Sequence, residues 1–329
     1  MIEVEHLSKV YGAALAVRDL SFRVGKGEIL GFLGPNGAGK TTTMRILTCF
    51  MAPTAGTARI AGHDILENSL EVRRNIGYLP ENVPLYPEMT VRDYLGYVAA
   101  LRSVPQNKRA ERLEAALDAG KLEDRADTII RKLSKGYRQR VGIAQAVIHD
   151  PPVLILDEPS AGLDPRQRVE TRQFIRSLSK DHTIILSTHI LPDVQETCSR
   201  VVIINKGAIV AEDTPEHLGA TRGRSTRLTL AVRRPAGDAA QKLQKIKGVT
   251  AAQRQDGDKS AAGGNGNGRD ANEHTFLLNV TPDADVREEV ARLTVNEGWG
   301  LLELHRERNS LEDIFLELTT SGAVDTEET

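Results

Sequence analysis

A glycine-rich segment ending in a lysine and a hydroxyl, GPNGAGKT, occupies positions 34–41. It fits the pattern G-x-x-x-x-G-K-S/T, directly after the apolar run GEILGFLG and directly before a helical pattern. Glycines let backbone N–H groups converge on phosphate oxygens, and a helix start adds partial positive charge. We therefore predict a loop that binds nucleotide phosphates, with Lys40 at the terminal phosphates and the Thr41 hydroxyl on Mg²⁺. The predicted phosphate-binding residues are Gly34, Pro35, Asn36, Gly37, Ala38, Gly39, Lys40, Thr41 and Thr42.

Two adjacent carboxylates, Asp157 and Glu158, end the apolar run VLILDE. Ligands sit at the carboxyl ends of strands in open parallel sheets, so Asp157 is placed to hold Mg²⁺. Glu158 is then the candidate to polarise an attacking water, and the predicted chemistry is phosphoryl transfer to water. On their own, two acids after a strand would more simply cap the next turn; the phosphate loop favours catalysis.

Short apolar runs must position these residues. The runs GEILGFLG, PVLILDEP, TIILSTH and RVVIINKG alternate with helical patterns, which indicates an α/β fold with a buried parallel sheet covered on both faces. From about residue 88 to 150 the pattern is mostly helical, which predicts a helical subdomain inserted in the sheet domain.

The character of the chain changes after about Thr221. The order of apolar runs there reads β-α-β, β-α-β and a final helix, which predicts a small ferredoxin-like α+β module over 221–320. The stretch 256–273 is rich in glycine, asparagine and charge, so we expect a flexible loop, and we expect the tail 321–329 to be disordered. The first domain is then 1–220.

Composition limits the class of protein. The chain has 329 residues, which favours two domains, and 43 basic against 45 acidic residues give a net charge of −2. That balance and an aromatic content of 4% argue against a nucleic-acid-binding surface. Two cysteines without metal-type spacing favour reduced thiols in a cytosolic protein. We expect no signal peptide, and no apolar run approaches the roughly 18 residues that span a bilayer.

Further segments narrow the choice among phosphate-loop enzymes. A GTPase would carry an N-K-x-D motif, and NKGA at 205–208 lacks the aspartate. The segments LSKGYRQRVGIAQA (133–146), SAGLDP (160–165) and STH (187–189), together with GPNGAGKT, resemble the signature, D-loop and switch histidine of the ABC ATPase family. The resemblance covers residues 1 to about 220 and implies a P-loop NTPase of the ABC cassette type.

The resemblance implies a role for each matching residue. Tyr11 would stack on the adenine, unless it is an ordinary turn aromatic, and His189 would contact the γ-phosphate, unless it merely opens the next helix. Ser134 and Gly136 would touch the γ-phosphate of ATP held by a second subunit, and Asp164 would communicate across the dimer. ATP and Mg²⁺ are the implied cofactors.

Two segments, with three positions between them, depart from the family's pattern. The usual signature reads Leu-Ser-Gly-Gly-Gln, whereas this chain has Lys135 and Tyr137 in place of the first glycine and the glutamine. The family also has a glutamine after the strand IGYLP, where this chain has Glu81. A carboxylate can approach Mg²⁺ but cannot donate an amide hydrogen bond, so Glu81 is a candidate metal ligand.

The resemblance also implies partners. The stretch YLPENVPLYPEMTVRDYL (78–95) looks like the loop and helix that grip membrane subunits, and the C-terminal module resembles the extension of multidrug-export and gliding-motility ATPases. The implied protein is a homodimeric ATP-hydrolysing subunit of an exporter. It would lie on the cytoplasmic face of the membrane beside separately encoded permease subunits, without nucleic acid.

Two other hypotheses remain open at this point. A soluble ABC ATPase acting on nucleic acid or ribosomes is supported by one basic cluster, but such proteins carry tandem cassettes or a long coiled coil. A non-catalytic ATP sensor would require that hydrolysis be absent with every motif intact. The basic cluster comprises Arg131, Lys132, Lys135, Arg138 and Arg140.

Overall fold

The computed structural model describes residues 1–221, 227–255, 274–281, 284–306, 315, 318 and 319. The chain divides into two compact units, Met1–Glu216 with Phe315–Thr329, and His217–Ile314. The predicted loop 256–273 and the predicted tail 321–329 lie outside the described residues, as does most of the predicted closing helix. Among the described residues, no helix is both long and apolar enough to span a membrane.

The strands of the described residues are numbered along the chain. They are β1 (Ile2–Tyr11), β2 (Ala14–Val24), β3 (Ile29–Leu33), β4 (Ala55–Ile60), β5 (His63–Asp64), β6 (Ile76–Leu79), β7 (Val153–Asp157), β8 (Thr183–Thr188), β9 (Arg200–Asn205), β10 (Ala208–Asp213), β11 (Arg227–Val232), β12 (Val249–Gln255), β13 (His274–Val280) and β14 (Leu301–Arg306).

The helices are numbered in the same way, and short 3₁₀ turns occur at Gln106–Lys108, Glu123–Arg125 and Ile130–Lys132. The helices are α1 (Lys40–Leu47), α2 (Ser69–Arg74), α3 (Val91–Leu101), α4 (Arg109–Gly120), α5 (Lys135–Val147), α6 (Pro165–Leu178), α7 (Leu191–Thr197), α8 (Pro215–Thr221), α9 (Ala239–Gln244) and α10 (Arg287–Asn296).

The central sheet of the first unit has the order β10-β9-β3-β8-β7-β6. The pairs from β9 to β6 are parallel, and β10 runs antiparallel at the edge. Every residue of β3, β7 and β8 is buried. Strands buried on both faces require uninterrupted apolar runs, and this confirms the predicted α/β fold with its parallel sheet.

A second, antiparallel sheet of order β2-β1-β4-β5 lies in the same unit and was not predicted. Its strands alternate between buried and exposed positions, a pattern weaker in the sequence than a continuous apolar run. Ile2 and Phe22 of this sheet share one core with Met44 of α1 and with Phe32 and Ile155 of the central sheet. The helix that follows the phosphate loop is therefore anchored in the core of the unit.

Helices α3, α4 and α5 have a core of their own. Buried residues from all three helices, including Leu95, Leu117 and Val141, form this cluster. The N-terminus of α5 is thereby supported by packing separate from that of the phosphate loop.

The second unit has the element order β11-α9-β12-β13-α10-β14. Its sheet is antiparallel, with the order β12-β13-β11-β14, and the fully buried Trp299 and Phe276 belong to its core.

Candidate functional site

The phosphate loop connects the buried end of β3 to the first turn of α1. Gly37 and Gly39 have φ angles of 81° and 105°, in the region that glycine adopts without steric cost. A β-carbon at Gly39 would lie 2.5 Å from the Ala16 carbonyl oxygen, and one at Gly34 would lie 2.5 Å from the Ile204 carbonyl oxygen. No side chain caps α1, so its first N–H groups are available to an anion.

Lys40 is buried within this loop. Its Nζ donates to the carbonyl oxygens of Gly34 at 2.9 Å and Pro35 at 3.2 Å. The same ammonium lies 3.4 Å from Glu158 Oε1, and the two side chains are 6% and 7% exposed. A buried charge needs partners, and here two carbonyls and one carboxylate supply them.

Asp157 ends β7 and is fully buried. Its register partner on β8 is Ser187, whose hydroxyl donates to Asp157 Oδ1. Burial raises the pKa of the Asp157 carboxyl, against the opposing effect of the Ser187 and Thr41 hydroxyls. Ser187 belongs to the segment STH but was not a predicted site residue; its contact with Asp157 follows from the pairing of β7 with β8.

The oxygen donors around Asp157 fit a magnesium ion. Asp157 Oδ2 is buried and has no hydrogen-bond partner among the described residues, and the Thr41 hydroxyl is close enough to lower the pKa of this carboxyl. Within the described residues no cluster of three or more His, Cys, Asp or Glu could hold a metal. Mg²⁺ is usually bound by one or two carboxylates together with waters and substrate phosphates, so a sparse oxygen set of this kind suits it.

Glu158 is held in a conformation that is rare for a residue with a side chain. Its φ is 50°, and its N–H donates to the Ser187 carbonyl at 3.0 Å. Backbone in this region costs of the order of 1–3 kcal/mol and persists where the surroundings impose it, often at functional sites. The result is a carboxylate turned towards Lys40 and His189.

His189 follows the end of β8 and is 43% exposed on its side chain. Its Nδ1 lies 2.8 Å from Glu158 Oε2. A carboxylate can only accept a hydrogen bond, so this contact assigns the ring proton to Nδ1 and leaves Nε2 for a ligand. Ile190, not His189, precedes the first residue of α7.

One cavity of about 320 Å³, here called the phosphate-loop cavity, brings most of the predicted residues together. Its lining includes the predicted residues Asn36, Gly37, Gly39, Lys40, Thr41, Thr42, Glu81, Glu158 and His189. Ala16 and Ala161, which the sequence analysis did not assign, line it as well.

The signature residues lie outside this cavity. Ser134 caps α5, its Oγ accepting from the Tyr137 N–H at 3.3 Å, and Asp164 caps α6, accepting from the Gln167 N–H at 2.9 Å. A β-carbon at Gly136 would lie 2.8 Å from the Gln167 side chain. The start of α5 is therefore packed on the start of α6 in the same chain, rather than on its own phosphate loop.

Tyr11 also stands apart from the phosphate-loop cavity. Its ring is 45% exposed at the end of β1, with the Lys9 ammonium 5.5 Å from its centroid. Its hydroxyl donates to Met51 Sδ at 2.9 Å. Tyr11 is exposed, which a stacking role requires, although the Lys9 ammonium lies over its ring.

The basic cluster at the start of α5 is largely engaged within the chain. Arg131 pairs with Glu88 at 3.1 Å, Arg138 donates to the Leu133 carbonyl oxygen at 3.0 Å, and Arg140 pairs with Glu170. The Arg125 and Arg140 guanidiniums each lie 5.5 Å from the centroid of the Tyr137 ring. Cations committed in this way do not form a free patch for phosphate backbones.

A larger cavity of about 600 Å³, here called the aromatic groove, adjoins the site through Thr41, Glu81 and Asp157. The Tyr86 ring lies 5.9 Å from that of Tyr94 and 5.6 Å from that of Tyr97. Although aromatic residues make up only 4% of the sequence, they are concentrated here. The aromatic side chains of the groove are Phe50, Tyr78, Tyr86, Tyr94 and Tyr97.

Comparison with known proteins agrees with this geometry. The family model described as ABC transporter matches residues 17–161. The uncharacterized ABC transporter ATP-binding protein YxlF of Bacillus subtilis (strain 168) is 39% identical over 209 residues, covering 64% of this chain and 69% of that protein. The Nod factor export ATP-binding protein I of Paraburkholderia xenovorans (strain LB400) is 38% identical over 218 residues, covering 66% of this chain and 72% of that protein.

A solved structure extends the comparison to the fold. CbiO1 from Clostridium perfringens, described as part of the ABC transporter complex cbiONQ, superposes with a TM-score of 0.62 at 27% identity, over 67% of this chain and 91% of that one. Sequence relatives and fold lead to the same conclusion: the chain belongs to the ABC transporter ATP-binding proteins and is an ABC ATPase.

Proposed function

We propose that this chain is the ATP-hydrolysing subunit of an ABC-type exporter, acting as a dimer on separate membrane subunits. The observation that carries the proposal is the contact of one buried carboxylate, Glu158, with both Lys40 at 3.4 Å and His189 at 2.8 Å. A base, a cation and an imidazole beside a phosphate loop suit attack of water on a terminal phosphate.

Binding of ATP would rearrange this cluster. Phosphate oxygens would compete with the Gly34 and Pro35 carbonyls and with Glu158 for the Lys40 ammonium. Glu158, released from Lys40 but still bound to His189 Nδ1, would accept a proton from the attacking water. His189 Nε2, the ring nitrogen turned away from Glu158, would face the γ-phosphate.

Thr41 and Asp157 are the proposed holders of Mg²⁺. Their hydroxyl and carboxylate oxygens match the preference of this ion, and in the described part of the chain Asp157 Oδ2 has no hydrogen-bond partner. The ion would neutralise charge on the phosphates, while Lys40 and the loop N–H groups bind and orient them. Glu81 stays a further candidate ligand.

A head-to-tail dimer would complete the site. Ser134 and Gly136 do not line the phosphate-loop cavity of their own chain, although they are the residues expected to contact a γ-phosphate. In a dimer each chain would offer them to the ATP of its partner, and Asp164 would lie near the same interface. ATP binding would close the dimer, and hydrolysis would reopen it.

Export and membrane attachment rest on further observations. Phe50, Tyr86 and Tyr97 of the aromatic groove are 74%, 51% and 43% exposed, as expected of a surface that a membrane subunit covers. One relative is named for Nod factor export and another structure is described as part of a transporter complex. We place the chain in the cytoplasm, at the cytoplasmic face of the membrane.

The domain limits are part of the proposal. Residues 1–220 would form the ATP-binding cassette, with a helical subdomain over about 88–150. Residues 221–320 would form an accessory module whose described strands and helices have the order β-α-β-β-α-β.

The Glu158→Gln variant tests hydrolysis and dimerisation together. It keeps the shape of the side chain but removes the base, so ATP should bind and stay bound. Light scattering should then show a dimer with ATP and Mg²⁺ and a monomer with ADP. Combining it with Lys40→Ala should abolish the dimer; steady hydrolysis by Glu158→Gln alone would contradict the role of the base.

Purification from native membranes tests the partner. The tagged chain should co-purify with a polypeptide that has several membrane spans. Tyr97→Asp, in the aromatic groove, should abolish this association, whereas Leu70→Asp, at an exposed leucine outside the groove, should not. Equal recovery with both variants would contradict the assigned surface.

A further inference from the structure

Two of the three departures from the family's pattern, Glu81 and Lys135, line the same cavity. This signature cavity has a volume of about 450 Å³ and lies beside the first turn of α5. Glu81 lies two residues beyond β6, and Lys135 is the first residue of α5, next to Ser134. The positions are 54 residues apart in sequence, yet the fold brings both exposed residues to one open cavity.

Glu81 lines three cavities of the first unit. It lines the phosphate-loop cavity, the aromatic groove and the signature cavity. A side chain at this position therefore borders both the phosphate loop and the start of α5.

Lys135 reaches from α5 across the loop that precedes Asp164. A β-carbon at Gly162 would lie 2.0 Å from Lys135 Nζ, so the ammonium lies where a side chain at 162 would begin. Ala161, the neighbour of Gly162, lines both the signature cavity and the phosphate-loop cavity. The ammonium is thus close to the boundary between the two spaces.

The remaining cations of the signature cavity are already engaged. Arg131 pairs with Glu88 at 3.1 Å, and Arg138 donates to the Leu133 carbonyl oxygen at 3.0 Å. In the described part of the chain, neither Glu81 nor Lys135 has an ion pair within 4 Å or a hydrogen bond from its charged group. Among the described lining residues Glu81 is the only carboxylate; Lys135 has neither a hydrogen bond nor an ion pair there, and Arg138 keeps its charge because a carbonyl does not neutralise it.

We propose that Glu81 and Lys135 form an ion pair across the signature cavity when ATP is bound, and that this pair positions the Ser134–Gly136 segment. The proposal rests on the proposed function. Flexible stems let both groups move, and closure around ATP would bring the loop after β6 and the start of α5 together. Both are positioning residues: the pair replaces a neutral glutamine and glycine, so the two changes compensate each other.

A double-mutant cycle tests the pair. Glu81→Gln and Lys135→Gly each restore the family's residue but leave one charge without its partner. Each should lower kcat for ATP hydrolysis about fivefold to tenfold with little change in KM, and the double variant should return to within about twofold of the original chain. Lys135→Arg, which keeps the charge, should retain kcat.

Arg138→Gln is the matched control, because Arg138 lines the same cavity but is bound to Leu133. Its effect on kcat should multiply with that of Glu81→Gln, as expected of side chains that do not interact. The Tm of each variant should show that all of them fold. Added salt should lower kcat of the original chain more than kcat of the double variant, because salt screens the ion pair that only the original chain has.

If Glu81→Gln and Lys135→Gly lower kcat by factors that multiply in the double variant, the two side chains do not form an ion pair. The proposed function would then still stand, because the protein hydrolyses ATP. A change in the Mg²⁺ requirement with Glu81→Gln, independent of Lys135, would make Glu81 a metal ligand and also overturn the pair. A chain that neither binds nor hydrolyses ATP would overturn the proposed function and the pair with it.

Discussion

Glu158 contacts both Lys40 and His189 within one chain, whereas Ser134 and Gly136 lie at the start of α5, beside the start of α6. Lys40, Glu158 and His189 are here called the nucleotide cluster. Lys40 and Glu158 are buried and paired with each other, and His189 Nδ1 contacts Glu158. Ser134 is exposed at a helix N-terminus, and its hydroxyl oxygen accepts from Tyr137 N–H.

This difference separates the residues that bind ATP within one chain from the residues that would complete the site of a second chain. The nucleotide cluster has what one chain needs to bind phosphates and activate water. The signature segment offers a hydroxyl and helix N–H groups that no phosphate loop of the same chain can use in this arrangement. Variants of the first set should therefore affect a single chain, and variants of the second should act only where two chains meet.

The largest expected effect follows from Glu158→Gln. Loss of a general base typically lowers turnover by about 10²–10⁴-fold, and the amide keeps the size of the side chain. Steady-state release of phosphate measures this. Glu71→Gln, at an exposed acid paired with Arg74, is the control and should retain full turnover.

Lys40→Ala should come next. The ammonium makes charge-assisted contacts worth about 1.5–3 kcal/mol each, so ATP affinity should fall by about 10- to 100-fold. Equilibrium titration with a fluorescent ATP analogue measures it. Lys26→Ala, at an exposed lysine, serves as the control. Unchanged ATP affinity in Lys40→Ala would show that the phosphate loop does not bind ATP through Lys40.

Ser134→Asp would sharpen the contrast. Aspartate caps helices as well as serine, so the stability of α5 should be retained. A negative charge facing a γ-phosphate would oppose closure, so turnover should fall about tenfold or more while ATP affinity of the monomer stays unchanged. Equal loss of both quantities would place Ser134 in the nucleotide cluster of its own chain.

The smallest expected effect is on stability and concerns the C-terminal end of α5. His149, just after α5, has a ring Nε2 that lies 3.2 Å from the Ile76 carbonyl oxygen. Burial, with help from Arg102 and Arg112, lowers the pKa of His149 to about 4 from its usual 6.5. The neutral form is thus favoured in the folded state, so stability is full above pH 6.5 and declines as the pH falls towards 4.

The change between pH 7 and pH 5 should reach up to about 2 kcal/mol. His149→Gln, which keeps a donor for Ile76, should flatten this dependence relative to the original chain in thermal unfolding. Parallel curves for the two proteins would show that His149 does not anchor the helix in this way.

Several parts of this protein could be predicted from local pattern. The phosphate loop combines a full motif with the strand before it and the helix after it, and continuous apolar runs identify strands buried on both faces. The antiparallel sheet was missed because alternating strands give weaker patterns. The Ser187 contact with Asp157 was missed because it depends on which strands pair, and β7 and β8 are 26 residues apart.

The sequence by itself determined the chemistry available: a glycine loop with Lys40, paired acids after a buried strand, and a histidine after the next, since these depend on residue type and local spacing. Tertiary structure alone decided which groups meet. It joined Glu158 to Lys40 and His189, kept Ser134 away from its own phosphate loop, and brought Glu81 and Lys135 to one cavity. Those relations follow from strand order and helix packing, which no local pattern contains.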